Sequence, residues 1–335
     1  MTTLRSTPPF TDTYDVVIVG GGAAGLSAGL MLGRCRRSVI IVDGGEPRNA
    51  PAEGVHGFLT REGMKPAELL AIGRAEVESY GGTIVDGQVV SSGRDGKDFS
   101  VTLQSGQVIT GRRLLIATGL VDGLPAVAGI SERWGRDVLH CPFCHGWEVR
   151  DQAIGILATG PMAVHQALLF RQWSENTTLF LHTNPTPTDE ELEKLAARGI
   201  RVVEGAVREL SIAEDSLRGV VLDDGRSVPL EAIVVGPTFN ARADVFAGLG
   251  VATVAHESGL GTFIATGDAG ATNVPGVWAV GNAANLMAQV LASAADGSLT
   301  GAMINMNLME EELQRDLAAH RNLTQTDTTS KVTAS

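Results

Sequence analysis

The chain has 335 residues, with 26 Lys plus Arg against 38 Asp plus Glu and a net charge of −12. That length argues for two domains. The acidic balance argues against nucleic acid or an anionic membrane as a partner, since both call for clustered positive charge. With 44% hydrophobic and 19% charged residues the chain can build sizeable cores, and its three cysteines are too few for a disulfide framework.

In chain order, residues 1–11 read as a flexible arm. Asp15–Val19 reads as a strand, Ala23–Leu32 as a helix and Ser38–Val42 as the next strand, together one βαβ unit. The uncharged run from Val16 to Gly33 has 18 residues, six of them glycine, and is better explained by this unit than by a membrane helix or a signal peptide. Cys35 reads as a core residue. Lys65–Tyr80 has helical spacing, Thr83–Val90 and Phe99–Leu103 alternate as strands, and Leu114–Ala117 is a buried strand. Turn residues at Val121–Pro125 mark a boundary. A second βαβ unit follows: strand Ala153–Leu157, helix Met162–Trp173, strand Thr178–Leu181. Leu192–Arg198 reads as helix. Val202–Val203, Gly219–Leu222 and Ala232–Val235 read as strands. A strand ends at Gly281-Asn282, and Asn285–Leu308 is helical with an interruption at Gly297. Residues 321–335 are polar and read as a flexible tail.

Gly20-Gly21-Gly22-Ala23-Ala24-Gly25 fits G-x-G-x-x-G between a strand and a helix, and Asp43 ends the next strand, 21 residues after Gly22. The motif requires this context. Gly20 permits the turn, Gly22 lets backbone amides approach a pyrophosphate, and Gly25 lets the helix sit on the strand. The helix N-terminus supplies positive charge to the phosphates, and Asp43 can bind ribose hydroxyls.

His140-Cys141-Pro142-Phe143-Cys144-His145 carries the chemistry. A C-x-x-C pair beside βαβ units reads as a redox dithiol, with one thiol of lowered pKa. His140 and His145 are placed to exchange protons with it. Two structural thiols or a zinc site are the alternatives, but the second ligand pair that zinc would need is absent. Phe143 and Trp147 read either as walls of an apolar pocket or as core.

These residues resemble the low-molecular-weight thioredoxin reductases over roughly residues 12–310. The resemblance rests on Gly20–Gly25 with Asp43, Ala117-Thr118-Gly119, the C-x-x-C pair, and the closing Gly281-Asn282 and Ala288-Gln289-Val290. It implies an α/β fold of two nested Rossmann-like dinucleotide-binding domains. The FAD domain would be discontinuous, residues 12–122 and 250–320, and a central domain of residues 123–249 would carry the dithiol. It further implies a homodimer, Cys144 as the flavin-proximal sulfur, Cys141 as the exchanging one, and a helix after Asn282 aimed at the flavin. Gly20, Gly22, Ala23, Ala24, Gly25, Asp43, Gly44, Val89, Ala117, Thr118, Gly119, Gly281, Asn282, Gln289 and Val290 would hold FAD. No metal site is implied.

Departures from that pattern shape the expected activity. In the second cradle, Ala158-Thr159-Gly160-Pro161-Met162-Ala163, the first glycine is Ala158. The following strand ends Leu181-His182-Thr183-Asn184-Pro185, with neither the arginine that clamps an NADPH phosphate nor the acid that binds NADH. His145 stands where reductases carry an acid, and Asn282 where an aspartate is usual. C-x-x-C-H without a working nicotinamide site is similar to the dithiol oxidases of the gliotoxin and holomycin type. Arg48-Asn49 and His56 are also similar to that subgroup, and would line the flavin cleft. The expectation is a soluble, cytoplasmic FAD-dependent oxidase that closes a disulfide in a small-molecule dithiol, with O2 as acceptor and H2O2 as product. The alternative is an NADPH- or ferredoxin-dependent thioredoxin-disulfide reductase.

Overall fold

The computed structural model describes residues 13–332; the expected arm at 1–11 and residues 333–335 of the tail lie outside them. The first unit contains β1 (Tyr14–Val19), α1 (Ala23–Arg34), β2 (Val39–Asp43), α2 (Pro66–Ser79), β3 (Thr83–Asp86), β4 (Val89–Asp95), β5 (Asp98–Leu103) and β6 (Val108–Ile116), followed by β7 (Leu120–Gly123). The second contains α3 (Ile130–Arg133), β8 (Val138–Leu139), α4 (Pro142–His145), β9 (Ile154–Leu157), α5 (Ala163–Phe170), β10 (Thr177–Phe180), α6 (Asp189–Ala197), β11 (Arg201–Val203), the meander β12 (Val207–Ala213), β13 (Ser216–Leu222) and β14 (Ser227–Pro229), and β15 (Ala232–Val235). The chain returns through β16 (Thr238–Ala241), β17 (Thr253–Ala255), β18 (Gly261–Ile264), β19 (Val277–Ala279) and α7 (Val290–Val332).

The first sheet runs β3-β2-β1-β6-β5-β4. Its β1, β2 and β3 are parallel, and the far edge of β6 is shared between antiparallel β5 and parallel β19. Covered on both faces, β1 is apolar from Val16 to Val19. Val16 and Ile18 face Leu26, Leu32, Ile304 and Leu308 of α1 and α7, while Val17 and Val19 face Phe99, Val101, Phe246 and Val251. The second sheet, β11-β10-β9-β15-β8, is all parallel and repeats the design on a smaller scale. Both sheets therefore point their carboxyl ends at turns that open into helices, which is where α/β folds bind ligands.

Four sequence expectations are corrected. The return to the first core begins ahead of residue 250: β16 pairs antiparallel with β7, and Ala243 and Phe246 are already part of that core. Gly297 does not interrupt the last helix. A Cβ there would lie 2.0 Å from the Ala24 carbonyl oxygen, so the glycine is the price of close α1–α7 packing. The same helix runs on to Val332, through much of the stretch expected as tail. Cys35 is half-buried at the C-cap of α1 rather than in the core.

An ion cluster ties α7 to the sheet. Glu312 accepts from Arg37 Nη1 at 2.6 Å and from Arg112 Nη1 at 2.7 Å, and Arg112 also reaches Asp15 and Glu311. The two arginines hold the Glu312 carboxyl at about 2, below its ordinary 4.5. Its contribution to stability is therefore fully present above about pH 4.5 and is lost as pH falls toward 2. Because the pair stands near the surface, Glu312→Gln is expected to cost about 1 kcal/mol at pH 7. In urea unfolding, the gap between wild type and variant should close as pH falls through that window.

Candidate active site

The first cradle is built by contact. A Cβ on Gly20, whose φ is +113°, would sit 2.2 Å from the Ala117 carbonyl oxygen, and one on Gly25 would sit 1.9 Å from that of Gly20. Strand, turn and helix close on one another only as glycine. Gly22 is the N-cap of α1, has no side-chain cap, and faces open space. The first amides of α1 are thus left for a ligand. They open on a cavity of about 800 Å3, at the upper end for small-molecule sites.

Every residue expected at the cofactor or at the dithiol lines this cavity except Gly25, which is set back between α1 and Gly20. The Asp43 carboxylate is fixed by Arg74 Nη1 at 2.7 Å and by the Gly45 amide at 3.1 Å. Two carboxylate oxygens with four lone-pair directions leave capacity for ribose hydroxyls. The uncapped helix start, the glycine-tight turn and this acid fit an adenine dinucleotide.

Four expected flavin residues have additional partners. Arg48 makes a two-pronged hydrogen bond to Asp122 of β7, at 2.7 and 2.6 Å, and its guanidinium lies 5.0 Å over the ring of Phe239 in β16. His56 places Nδ1 2.7 Å from Glu62 and Nε2 3.5 Å from Glu148, just beyond the dithiol turn. Asn282 donates its amide to the carbonyls of Asn285, Leu286 and Ala288, which an aspartate could not do. The loop it holds presents Gln289, whose Nε2 lies 3.9 Å from Cys141 Sγ.

Cys141 is the N-cap of α4 and Cys144 lies inside that turn, with the two sulfurs 2.7 Å apart. The Cys144 thiol donates to Cys141, and this lowers Cys141 from its ordinary 9.0 to about 7. Burial works against the shift, while the amides of Cys144 and Phe143 and the side chain of Gln289 assist it. Cys144 is pushed the other way, because it holds the shared proton and is itself buried. The pair is thus polarised into one thiolate and one thiol.

Two imidazoles flank the pair. His140 Nδ1 lies 3.1 Å from the Val235 carbonyl oxygen. It must donate there, which leaves Nε2 as the basic atom. Burial lowers the pKa of His140 and of His145 alike. Both ring nitrogens of His145 are buried without a hydrogen-bond partner among the described residues, a costly state that a resident structural histidine does not need. Phe143 lines the cavity, whereas Trp147 lies outside it with Arg150 stacked 4.2 Å over its ring.

The second cradle faces the same cavity through Thr159, Gly160 and Met162. Its helix α5 starts uncapped at Met162, as α1 does at Gly22, but the side chains around it are committed within the protein. Asn184 donates to the Gly160 carbonyl at 2.7 Å, and Thr159 Oγ1 donates to that of Gly236 at 3.0 Å. His182, in the place of the phosphate clamp, accepts the Val207 amide on Nδ1 at 3.0 Å, and burial lowers its pKa. A neutral imidazole with one nitrogen occupied is a poor substitute for a guanidinium.

Two dinucleotide folds with a polarised dithiol in the cleft of the first define a flavoprotein disulfide oxidoreductase. The chain belongs to the pyridine nucleotide-disulphide oxidoreductase family, whose model matches residues 14–297. It is an oxidoreductase with FAD as cofactor. It is 31% identical over 328 residues to thioredoxin reductase sirT of Leptosphaeria maculans, covering 92% of this chain and 98% of that protein. The crystal structure of HlmI is similar at a TM-score of 0.87 and 44% identity, covering 93% of this chain and 98% of that one. An oxidoreductase from Agrobacterium tumefaciens matches at 0.83 and 38%, covering 89% and 99%. Among the described residues, no helix is long and apolar enough to cross a membrane.

The polarised pair makes a prediction. In the reduced protein, alkylation of Cys141 by iodoacetamide should follow a midpoint near pH 7. Cys144→Ala removes the largest cause of that depression, so the midpoint should move up toward 9. An unmoved midpoint would mean that the backbone amides and Gln289 alone hold the thiolate.

Proposed function

We propose that the protein is an FAD-dependent dithiol oxidase that closes a disulfide within a small-molecule dithiol. The observation that carries this reading is the placement of the dithiol, both histidines and the first cradle around one cavity, while the polar side chains at the second cradle are tied to backbone groups of the protein. A cavity wall that includes Phe143 and Met162 suits a compact apolar substrate better than a protein surface.

The oxidised Cys141–Cys144 disulfide receives a substrate thiolate at Cys141 Sγ. That bond forms as the Cys141–Cys144 bond breaks, and Cys144 leaves as thiolate. His145, neutral at pH 7 with both nitrogens free, takes the substrate thiol's proton. The second substrate thiol then attacks the substrate sulfur of the mixed disulfide and expels Cys141. Once the proton taken up by His145 has passed to Cys144, the Cys144 thiol donates to Cys141 and makes it the better leaving thiolate for this second exchange. FAD, when bound, supplies reoxidation of the dithiol, with two electrons and two protons passing on to O2 to give H2O2. Electrons balance as one substrate disulfide formed for each H2O2 released.

Anaerobic stopped-flow mixing of the yellow protein with dithiothreitol, NADPH and NADH in separate shots tests the proposal. Bleaching of the flavin band by dithiol alone, reversed by air with stoichiometric peroxide, is the expected result. Rapid bleaching by NADPH would instead establish a reductase using an altered second cradle, as the names of several relatives suggest.

A homodimer belongs to the same reading. Leu299, Met303, Met306 and Leu313 expose apolar side chains at helical spacing along α7, and a second copy of this chain would cover the stripe. Sedimentation should give a dimer for wild type. Met303→Glu combined with Met306→Glu should give a monomer that still folds, and a wild-type monomer would remove this part of the proposal.

A further inference from the structure

The 55–64 loop of the first unit reaches across to the dithiol segment of the second through charged groups. Glu62 accepts the Gly57 amide on Oε2 at 2.8 Å and lies 2.7 Å from His56 Nδ1 through Oε1. This fixes the imidazole so that its other nitrogen, Nε2, faces Glu148 Oε1 at 3.5 Å. Glu148 lies three residues after His145, on the same turn out of α4. The result is a carboxylate–imidazole–carboxylate chain whose last member, Glu148, stands three residues on from His145, a buried imidazole without a hydrogen-bond partner among the described residues.

We propose that the Glu62–His56–Glu148 chain is a positioning network that sets the charge state of His145. The inference rests on the reading of His145 as the acid–base group of the dithiol, but not on the direction of electron flow. The titratable and charged groups around His145 are Cys141 and Cys144 on its own turn, Glu148 beyond it, and His56 with Glu62 from the facing loop; Arg48 acts on Cys144 from the cavity wall. Burial disfavours the imidazolium, the Glu148 carboxylate favours it, and charge on His56 opposes it. The chain therefore acts on His145 with two effects of opposite sign, and the His56–Glu62 contact fixes where the His56 ring stands. A histidine that must accept a proton from a thiol and then surrender it is best poised near neutrality. Burial lowers it, and the Glu148 carboxylate works against that shift.

The opposed signs give the test. The ring Cε1–H resonance of His145 is followed across pH in histidine-labelled holoprotein, with its assignment taken from His145→Asn. No substrate, oxygen or pyridine nucleotide is needed, so the outcome is separate from that of the stopped-flow experiment. Glu148→Gln should lower the titration midpoint and His56→Gln should raise it, each by about half a pH unit. Glu148→Asp, which keeps the charge, should return the midpoint toward the wild-type value. E148N and H56N carry the same test if a glutamine variant does not fold. Midpoints that move in the same direction, or that stay at the wild-type value in both variants, overturn the proposal.

Discussion

Arg48 grips both strands from which the second unit hangs. Its two-pronged bond holds Asp122 on β7, and its guanidinium face covers Phe239 on β16, the direct partner of Asp122 in the antiparallel register. The Asp122 side chain is only 7% exposed. A paired charge of this kind adds modestly to stability, but its loss leaves a nearly buried carboxylate without compensation. Phe239 in turn stacks edge-on against His140, with ring centroids 5.2 Å apart. One arginine from the first unit thus fixes the linkers and, through a single ring, a histidine beside the dithiol. Were the linkers free to rotate, the dithiol and the first cradle would not need to share a cavity.

Within that fixed frame, the dithiol is arranged by asymmetry rather than by an external base. The proton held by Cys144 is what stabilises charge on Cys141, so each sulfur creates the other's condition. The histidines complete the arrangement by staying neutral. Charging either would cost desolvation, and His145 has no hydrogen bond to offset it. Neutral imidazoles beside a thiolate–thiol pair can take up a proton without first giving one away, which is the requirement for accepting substrate thiols.

The local parts of this site were legible in the sequence, and the long-range parts were not. The cradle, Asp43 and the dithiol each declare themselves within a βαβ unit or a single turn, where spacing and chemistry are enough. Gln289 meets Cys141 across 148 residues, and Arg48 meets Asp122 across 74. Such contacts depend on topology and leave no periodic trace. Asn282 was legible as a departure from the usual aspartate, but its reason lies in three carbonyls of a loop whose conformation the sequence does not announce. Gly297 was misread because a glycine in a helical pattern signals either a break or a close approach. Only the position of Ala24 on α1 decides between them. Likewise β16 is short and its apolar residues do not form a run, so the return of the chain to the first core was placed too late.

The two cradles show how one fold can dress the same strand, turn and helix with different side-chain commitments without changing the backbone plan. Both units present a strand, a tight turn and a helix to the same cavity. In the first, Gly22 leaves the helix amides uncapped and open. In the second, α5 also starts uncapped at Met162, but Asn184 and Thr159 spend their hydrogen bonds on the Gly160 and Gly236 carbonyls, and His182 spends its lone pair on the Val207 amide. An anion site needs donors that gain a partner when the ligand arrives. Side chains already satisfied by the protein gain little, and would have to break those bonds first. Electrons entering such a protein have a ready path at the dithiol, where one sulfur is ionised near neutrality and two neutral bases stand beside it. Under the proposed function, that path makes thiols rather than a nicotinamide the donors to this cavity.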